Sequence, residues 1–153
     1  MIKKDALAYF SRIMAPHPAA LITTISKDGV PNIIAVAWII PTSFKPPLLA
    51  ISVGKTRYSH KLLAETGEFV VNIPTKGLLD KVEYCGTNSG RNVNKFEKAG
   101  LTAKPAKKVK PPIIEECIGH IECKVVDRFP TGDHTLFISE VLAAYADGEL
   151  VNK

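Results

Sequence analysis

Apolar positions along this chain recur with two periods, one helical and one extended. Leu7, Phe10, Ile13 and Met14 fall at helical spacing and predict a short helix over Asp5 to Met14. Pro16 and Pro18 stop it. Ala19 to Ser26 is a β-rich run, closed by the hairpin signal Lys27-Asp28-Gly29. A second strand is predicted from Asn32 to Ile40. Pro41-Thr42-Ser43-Phe44-Lys45-Pro46-Pro47 lacks the donors of a central strand and predicts a rigid, shaped loop. Leu48 to Val53 is a third strand. The period then changes. Gly54 to Gly67 predicts a helix, with Thr56 as N-cap, an apolar face of Tyr58, Leu62 and Leu63, and Gly67 as its stop. Glu68 to Ile73 predicts a fourth strand, Gly77 to Tyr84 and Val93 to Ala99 two helices, and Asn88 to Arg91 the loop between them. In Ile118 to Phe129, Ile121, Cys123 and Val125 alternate with His120, Glu122 and Lys124, an apolar face against a polar one. Thr135 to Ala144 is apolar on both faces and predicts a strand covered on both.

Adjacent hairpins and continuous apolar strands imply a mainly β protein, an antiparallel barrel with peripheral helices packed outside. The regular strand–helix alternation of a parallel doubly wound sheet is missing. So are a GxGxxG turn after a strand and a P-loop, which removes the two commonest nucleotide-phosphate motifs. No period of 20 to 50 residues recurs.

A length of 153 residues favours one domain, residues 1–153, large enough to bury a core without staples. The net charge of +5 admits nucleic acid, an anionic surface or an anionic small ligand. Lys104, Lys107, Lys108 and Lys110 crowd one Pro-rich stretch that reads as an exposed connector. Basic residues interleaved with aromatics, or a helix-turn-helix pattern, would favour nucleic acid, and neither accompanies that stretch, so no nucleic-acid partner is expected. Cys85, Cys117 and Cys123 are odd in number and scattered, with no CxxC spacing, so neither a disulfide framework nor a metal site is expected. No signal peptide is visible, and the longest apolar run, Ile33 to Pro41, is too short to span a bilayer. A cytoplasmic protein without membrane partners is the expectation.

Four segments combine residue types that carry chemistry. Gly54-Lys55-Thr56-Arg57-Tyr58-Ser59-His60 joins a strand end to a helix start. Helix N–H groups, two cations and two hydroxyls there suit a phosphate dianion. A plain capped helix with solvated basic residues fits the same pattern. Ala37 to Phe44 combines Trp38 with proline-fixed backbone and hydroxyls, as the edge of a planar heterocycle requires, or it is an ordinary strand end with a core tryptophan. Tyr84 to Arg91 offers glycines for close backbone approach and Arg91 for phosphate, or it simply connects two helices. Gly132-Asp133-His134 presents a histidine at a strand start, able to meet an anionic or amide-bearing substrate or to bond backbone. Cys85 reads as a small buried hydrophobe, since no general base lies near it in sequence.

These segments occur in the same order in a known family. PAALITTISKDGVPNIIAVAWIIPTSFKPPLLAISV, GKTRYSHKLLAETGEFVVNIPT, YCGTNSGRNVNKFEKAGL, PPIIEECIGHIECKV and GDHTLFISEVLAA together resemble the flavin reductase-like domain, in its flavoredoxin and ferric-reductase branch. The resemblance implies a Greek-key split barrel that binds FMN and works as a homodimer. It implies NAD(P)H as electron donor to flavin, or electron transfer from flavin to iron or a partner protein. Carried over by position, Trp38, Ile40, Pro41, Thr42 and Ser43 would line the ring and ribityl chain. Ser52, Lys55, Thr56, Arg57, Tyr58 and Ser59 would hold the ribityl and phosphate end. Cys85, Gly86, Ser89, Gly90 and Arg91 would close the pocket, and His134 would be the catalytic residue beside the ring. Many relatives continue for further strands or a tail beyond Gly148, so a lid or interface built there would lie outside this sequence. Three functions follow: an NAD(P)H-dependent flavin or ferric reductase, a non-enzymatic FMN electron carrier, and, more remotely, a basic barrel that binds nucleic acid.

Overall fold

A computed structural model describes residues 1–152. Seven strands form one antiparallel sheet in the order β2-β1-β5-β8-β9-β4-β3. They are β1 (Ala20–Ile25), β2 (Pro31–Val36), β3 (Ile39–Ser43), β4 (Leu48–Gly54), β5 (Glu68–Ile73), β8 (Gly119–Thr131) and β9 (His134–Ala146). Strands β2 and β3 stand at opposite ends of that order, yet only Ala37 and Trp38 separate them in sequence. Three Cα steps span at most about 11 Å. The two edges must therefore meet, and the sheet closes into a barrel split at Ala37–Trp38. The Ser52 N–H donates to the Trp38 carbonyl at 3.0 Å and ties this junction to β4.

The continuous apolar run Ile33 to Ile40 is thus two strands rather than one. Pro41 to Ser43 continue β3 instead of forming a loop; β3 is an edge strand, where a proline loses no ladder partner, and the register shifts at Pro41/Ser43. Ala20, Ile22, Val36, Leu49, Ile51, Val53, Phe69, Val71, Cys123 and Phe137 fill the barrel, with Leu63 of α2 (Tyr58–Thr66) packed among them. The outer faces of β1 and β2 are covered in turn. Leu21 and Ile33 pack with Cys85 of α3 (Leu79–Thr87), Phe96 of α4 (Lys95–Ala99), Leu101, Ile114 and Cys117. All three cysteines are buried and free.

Several elements differ from expectation. α2 begins at Tyr58, capped by extended backbone at Arg57 rather than by the Thr56 side chain; it ends at Gly67, which is left-handed at φ 68°. The N-terminal helix is a 3-10 turn, Leu7–Tyr9, running into one turn of α1 (Phe10–Ile13), and none of its apolar residues is buried. Strand β9 alternates between buried (Thr135, Phe137, Ser139) and half-buried positions, so only its barrel face is closed. Two short strands, β6 (Ala103–Lys104) and β7 (Ile113–Ile114), and a terminal turn, α5 (Gly148–Val151), were not anticipated.

The polar face of β8 is not solvated. His120 and Glu122 are both buried, Glu122 beneath the Lys104–Pro112 stretch that sequence pattern marks as an exposed connector. Glu122 accepts the backbone N–H groups of Lys107, Lys108 and Val109 at 2.9, 2.5 and 3.2 Å, and the Tyr145 hydroxyl at 2.8 Å. The lysine side chains point out, and Lys107 lies 4.0 Å over the Tyr145 ring. Asn72 extends the network, accepting from Ile114 N–H and bonding His120 Nδ1. Burial pushes the Glu122 carboxyl up, but those four donors outweigh it and hold the group below the usual carboxylate range. A depressed folded-state pKa stabilises the fold above the unfolded glutamate value and loses that contribution as pH falls through the folded one. Glu122→Gln is expected to cost about 2 kcal/mol at neutral pH and to flatten the acid limb of the urea-midpoint-versus-pH curve. An acid limb unchanged from the parent protein would show that Glu122 does not organise this strap.

Candidate functional site

The N-terminus of α2 opens on a cavity of about 200 Å³. No side chain caps this helix and its first turn holds no acid, so its partial positive charge is uncompensated there. Thr56, Arg57, Tyr58 and Ser59 form one wall. Asn32, from β2, donates through Nδ2 to the buried Ser59 hydroxyl at 2.9 Å and fixes its direction. The opposite wall is Cys85 to Arg91 at the end of α3. Gly90 lies so close to Asn32 and Tyr58 that a side chain would collide with both, its Cβ 2.8 Å from Tyr58 Cδ1. Arg91 joins the walls, donating to the Thr56 carbonyl at 3.0 Å with its guanidinium over the Tyr58 ring.

Lys95 forms the floor and is only 4% exposed. Its ammonium donates to the Ile33 carbonyl at 2.7 Å and the Cys85 carbonyl at 2.8 Å. An ammonium carries three donors, so one is left. Burial lowers its pKa, and the Arg57 guanidinium adds to that effect. No aspartate or glutamate lines this cavity among the described residues. Arg57, Arg91, Lys95 and a helix terminus converging without an acid make a site for an anion.

A second cavity of about 160 Å³ shares Ile34 and Arg57 with the first and continues it as one groove. Its walls are Ala35 to Trp38 at the barrel split, Ser52, Val53 and Gly54 of β4, and His134 of β9. The His134 ring lies 4.8 Å from the Trp38 ring at an interplanar angle of 32°. Its Nδ1 bonds Asp133 Oδ1 at 2.6 Å. Gly54 pairs with His134 across the sheet and leaves the space before the ring open. An apolar cavity of about 420 Å³, lined by Phe10, Met14, Ile40 and Leu136 among others, also reaches Trp38 and Ser52.

The fold brings together in the groove most residues singled out from sequence: Trp38, Ser52, Thr56, Arg57, Tyr58, Ser59, Cys85, Gly86, Ser89, Gly90, Arg91 and His134. Ile40 lines the apolar cavity instead. Pro41, Thr42 and Ser43 lie farther along β3, outside the groove lining. Lys55 is exposed, and its backbone N–H donates to the Asp133 carbonyl. Burial raises the Cys85 thiol above its ordinary pKa, so it stays protonated and serves as wall. Asn32 and Lys95 were missed. A polar residue inside an otherwise apolar strand was a signal for Asn32; nothing local marks Lys95, a lysine in a short helix whose burial is decided by the packing of α3 and α4 on β2. The groove offers a flat aromatic end, an anion end and no nucleophile–base pair. Its shape and charge suit a planar ligand that carries an anionic group.

The same fold recurs in known proteins. Flavoredoxin of Desulfovibrio vulgaris (Miyazaki F) superposes with a TM-score of 0.85 at 33% identity, covering 96% of this chain and 78% of that one. Flavoredoxin from Methanosarcina acetivorans gives 0.82 at 31% identity, covering 97% and 76%. An uncharacterized protein of Archaeoglobus fulgidus is 44% identical over 138 residues, which is 87% of this chain and 78% of that relative. The family model described as flavin reductase like domain matches residues 10–153. A split antiparallel barrel, a groove at its split and a match across nearly all of the chain together make this protein a member of the flavin reductase-like domain family.

Proposed function

We propose that this protein is an FMN-binding oxidoreductase that accepts electrons from NAD(P)H and passes them to flavin or iron. The observation that carries the proposal is the groove itself. A phosphate monoester fits the acid-free end formed by the α2 N-terminus, Arg57, Arg91 and the spare donor of Lys95. A flat ring fits between Trp38, Ser52 and Gly54, with His134 at its border. FMN, when bound, supplies the one- and two-electron chemistry that protein side chains lack. The chain supplies the rest. Gly90 lets the backbone approach, Asn32 aims the Ser59 hydroxyl, and the bond from Ser52 to the Trp38 carbonyl fixes the ring end.

The expected oligomer is a homodimer. Phe10, Met14, Trp38 and Ile40 are exposed and line the apolar cavity, an apolar face that a second copy of the chain would cover. A second reading, an FMN electron carrier without turnover, is favoured by the two flavoredoxins of over 30% identity. The lysines of the Lys104–Pro112 strap share no residue with the groove, so the nucleic-acid reading draws no support from it. No described helix is long and apolar enough to cross a membrane.

Protein saturated with FMN and then desalted is expected to retain flavin absorbance at about one FMN per chain. A colourless product would overturn the proposal, and fast NADH or NADPH oxidation by the coloured one separates reductase from carrier. Arg57→Glu is expected to weaken FMN binding about tenfold or more, as repulsion of a phosphate in a partly desolvated site requires. Equal titration curves for variant and parent would remove Arg57 from the anion site. His134→Ala is expected to keep FMN and slow its reduction roughly tenfold; loss of FMN instead would make His134 a cofactor contact.

A further inference from the structure

The rim of the anion cavity is built differently from its floor. Lys95 and Cys85 at the floor are buried, whereas Thr56 and Arg91 at the rim are exposed. The cavity joins the ring end of the groove through Ile34 and Arg57, while Thr56, Tyr58 and Arg91 line the anion cavity alone. Its way out to solvent on that side passes the Arg91 side chain. Arg91 Nη1 donates to the Thr56 carbonyl at 3.0 Å, and the guanidinium rests 5.4 Å from the Tyr58 ring centroid, within cation–π range. The residue is also braced from behind. The Ser89 hydroxyl accepts the Arg91 N–H at 3.2 Å, and the Ser89 carbonyl accepts the N–H groups of Asn92 and Val93 at 3.0 and 3.2 Å. At Gly90 the two walls touch, since any Cβ there would enter both Asn32 and Tyr58. Arg91 thus reaches from a braced loop across to the start of α2.

A guanidinium carries five N–H donors in one plane, so Arg91 can hold Thr56 and still face a phosphate below it. What it closes is the space beyond that phosphate. A cavity of about 200 Å³ is smaller than the roughly 300–1,000 Å³ of sites that enclose a whole drug-sized ligand, so it takes one end of its ligand only. A phosphate monoester ends there. A flavin whose phosphate continues through a second phosphate into adenosine has to lead that extension out past the rim. We propose that the Arg91–Thr56 clasp is a specificity determinant: it admits a flavin that ends in a phosphate monoester, FMN, and excludes one extended through a diphosphate to a nucleoside, FAD. The inference rests on the flavin reading of the groove and adds which flavin is accepted and through which residue. Attraction alone does not separate the two. Both flavins are anionic, and the α2 N-terminus, Arg57 and Lys95 draw in either. The discrimination comes from a closed exit, a barrier against the wrong ligand rather than a contact to the right one.

Calorimetric titrations with FMN and FAD at one salt concentration test this. The parent protein is expected to bind FAD at least about tenfold more weakly than FMN. Arg91→Ala is expected to bind FAD about tenfold more tightly than the parent does, although it has lost a cation. An arginine that merely contacts phosphate gives the opposite sign, so the direction of the FAD change separates a clasp from a charge. Arg91→Met keeps the length of the side chain and loses its donors. It is expected to gain FAD affinity as well, because the tie to Thr56 is gone. Parent protein that binds FAD as tightly as FMN, or an Arg91→Ala variant whose FAD affinity equals or falls below the parent's, overturns the inference and leaves the FMN site standing. An Arg91→Met variant that still excludes FAD overturns the clasp, since bulk without the tie would then suffice. A parent protein that binds neither flavin overturns the functional reading and the clasp with it.

Discussion

The two residues Ala37 and Trp38 hold the rest of the structure to one shape. They connect strands at the two ends of a seven-strand sheet, so the sheet has no freedom to open flat. Closure buries β1 and β5 on both faces, directs the inner alternation of β4 and β9 into the barrel, and places a tryptophan where the wall is interrupted. The groove follows from that interruption. Strands β2 and β4 part around it, α2 begins against it, and the β8–β9 turn delivers a histidine to its border.

Local chemistry made much of this legible in the sequence. The Asp28-Gly29 and Gly132-Asp133 turns, the stop at Gly67 and the strand Glu68–Ile73 all stand where pattern places them, because each is decided by a few neighbouring residues. The split within Ile33–Ile40 was not legible. Every residue there is apolar, and only the need to join opposite sheet edges breaks the strand. The polar face of β8 misled for a similar reason. Alternation reports that Glu122 faces away from the barrel interior; it cannot report that a distant lysine-rich segment returns to donate three backbone N–H groups to it.

The same division holds for the groove. Glycines and hydroxyls near a helix start marked Thr56–Ser59 and Ser89–Arg91, and the fold sets them face to face. Pro41, Thr42 and Ser43 had equally suitable chemistry, but β3 runs outward along the sheet edge and carries them away from the groove lining. Lys95 had no local mark at all. Its environment is made by three elements far apart in sequence, and burial of an ammonium is a tertiary property.

That lysine also acts as a fastener. One ammonium bonds a carbonyl of β2 and a carbonyl of α3 while standing on α4, so three elements share a single charge. A buried cation with no carboxylate among the described residues of its cavity is costly to keep charged, and an anion bound beside it would offset that cost. Occupancy and folding are thereby linked, since whatever binds only the folded form displaces the folding equilibrium in proportion to its concentration over its dissociation constant. On the proposed reading, the resistance of this barrel to heat would rise with the occupancy of its groove.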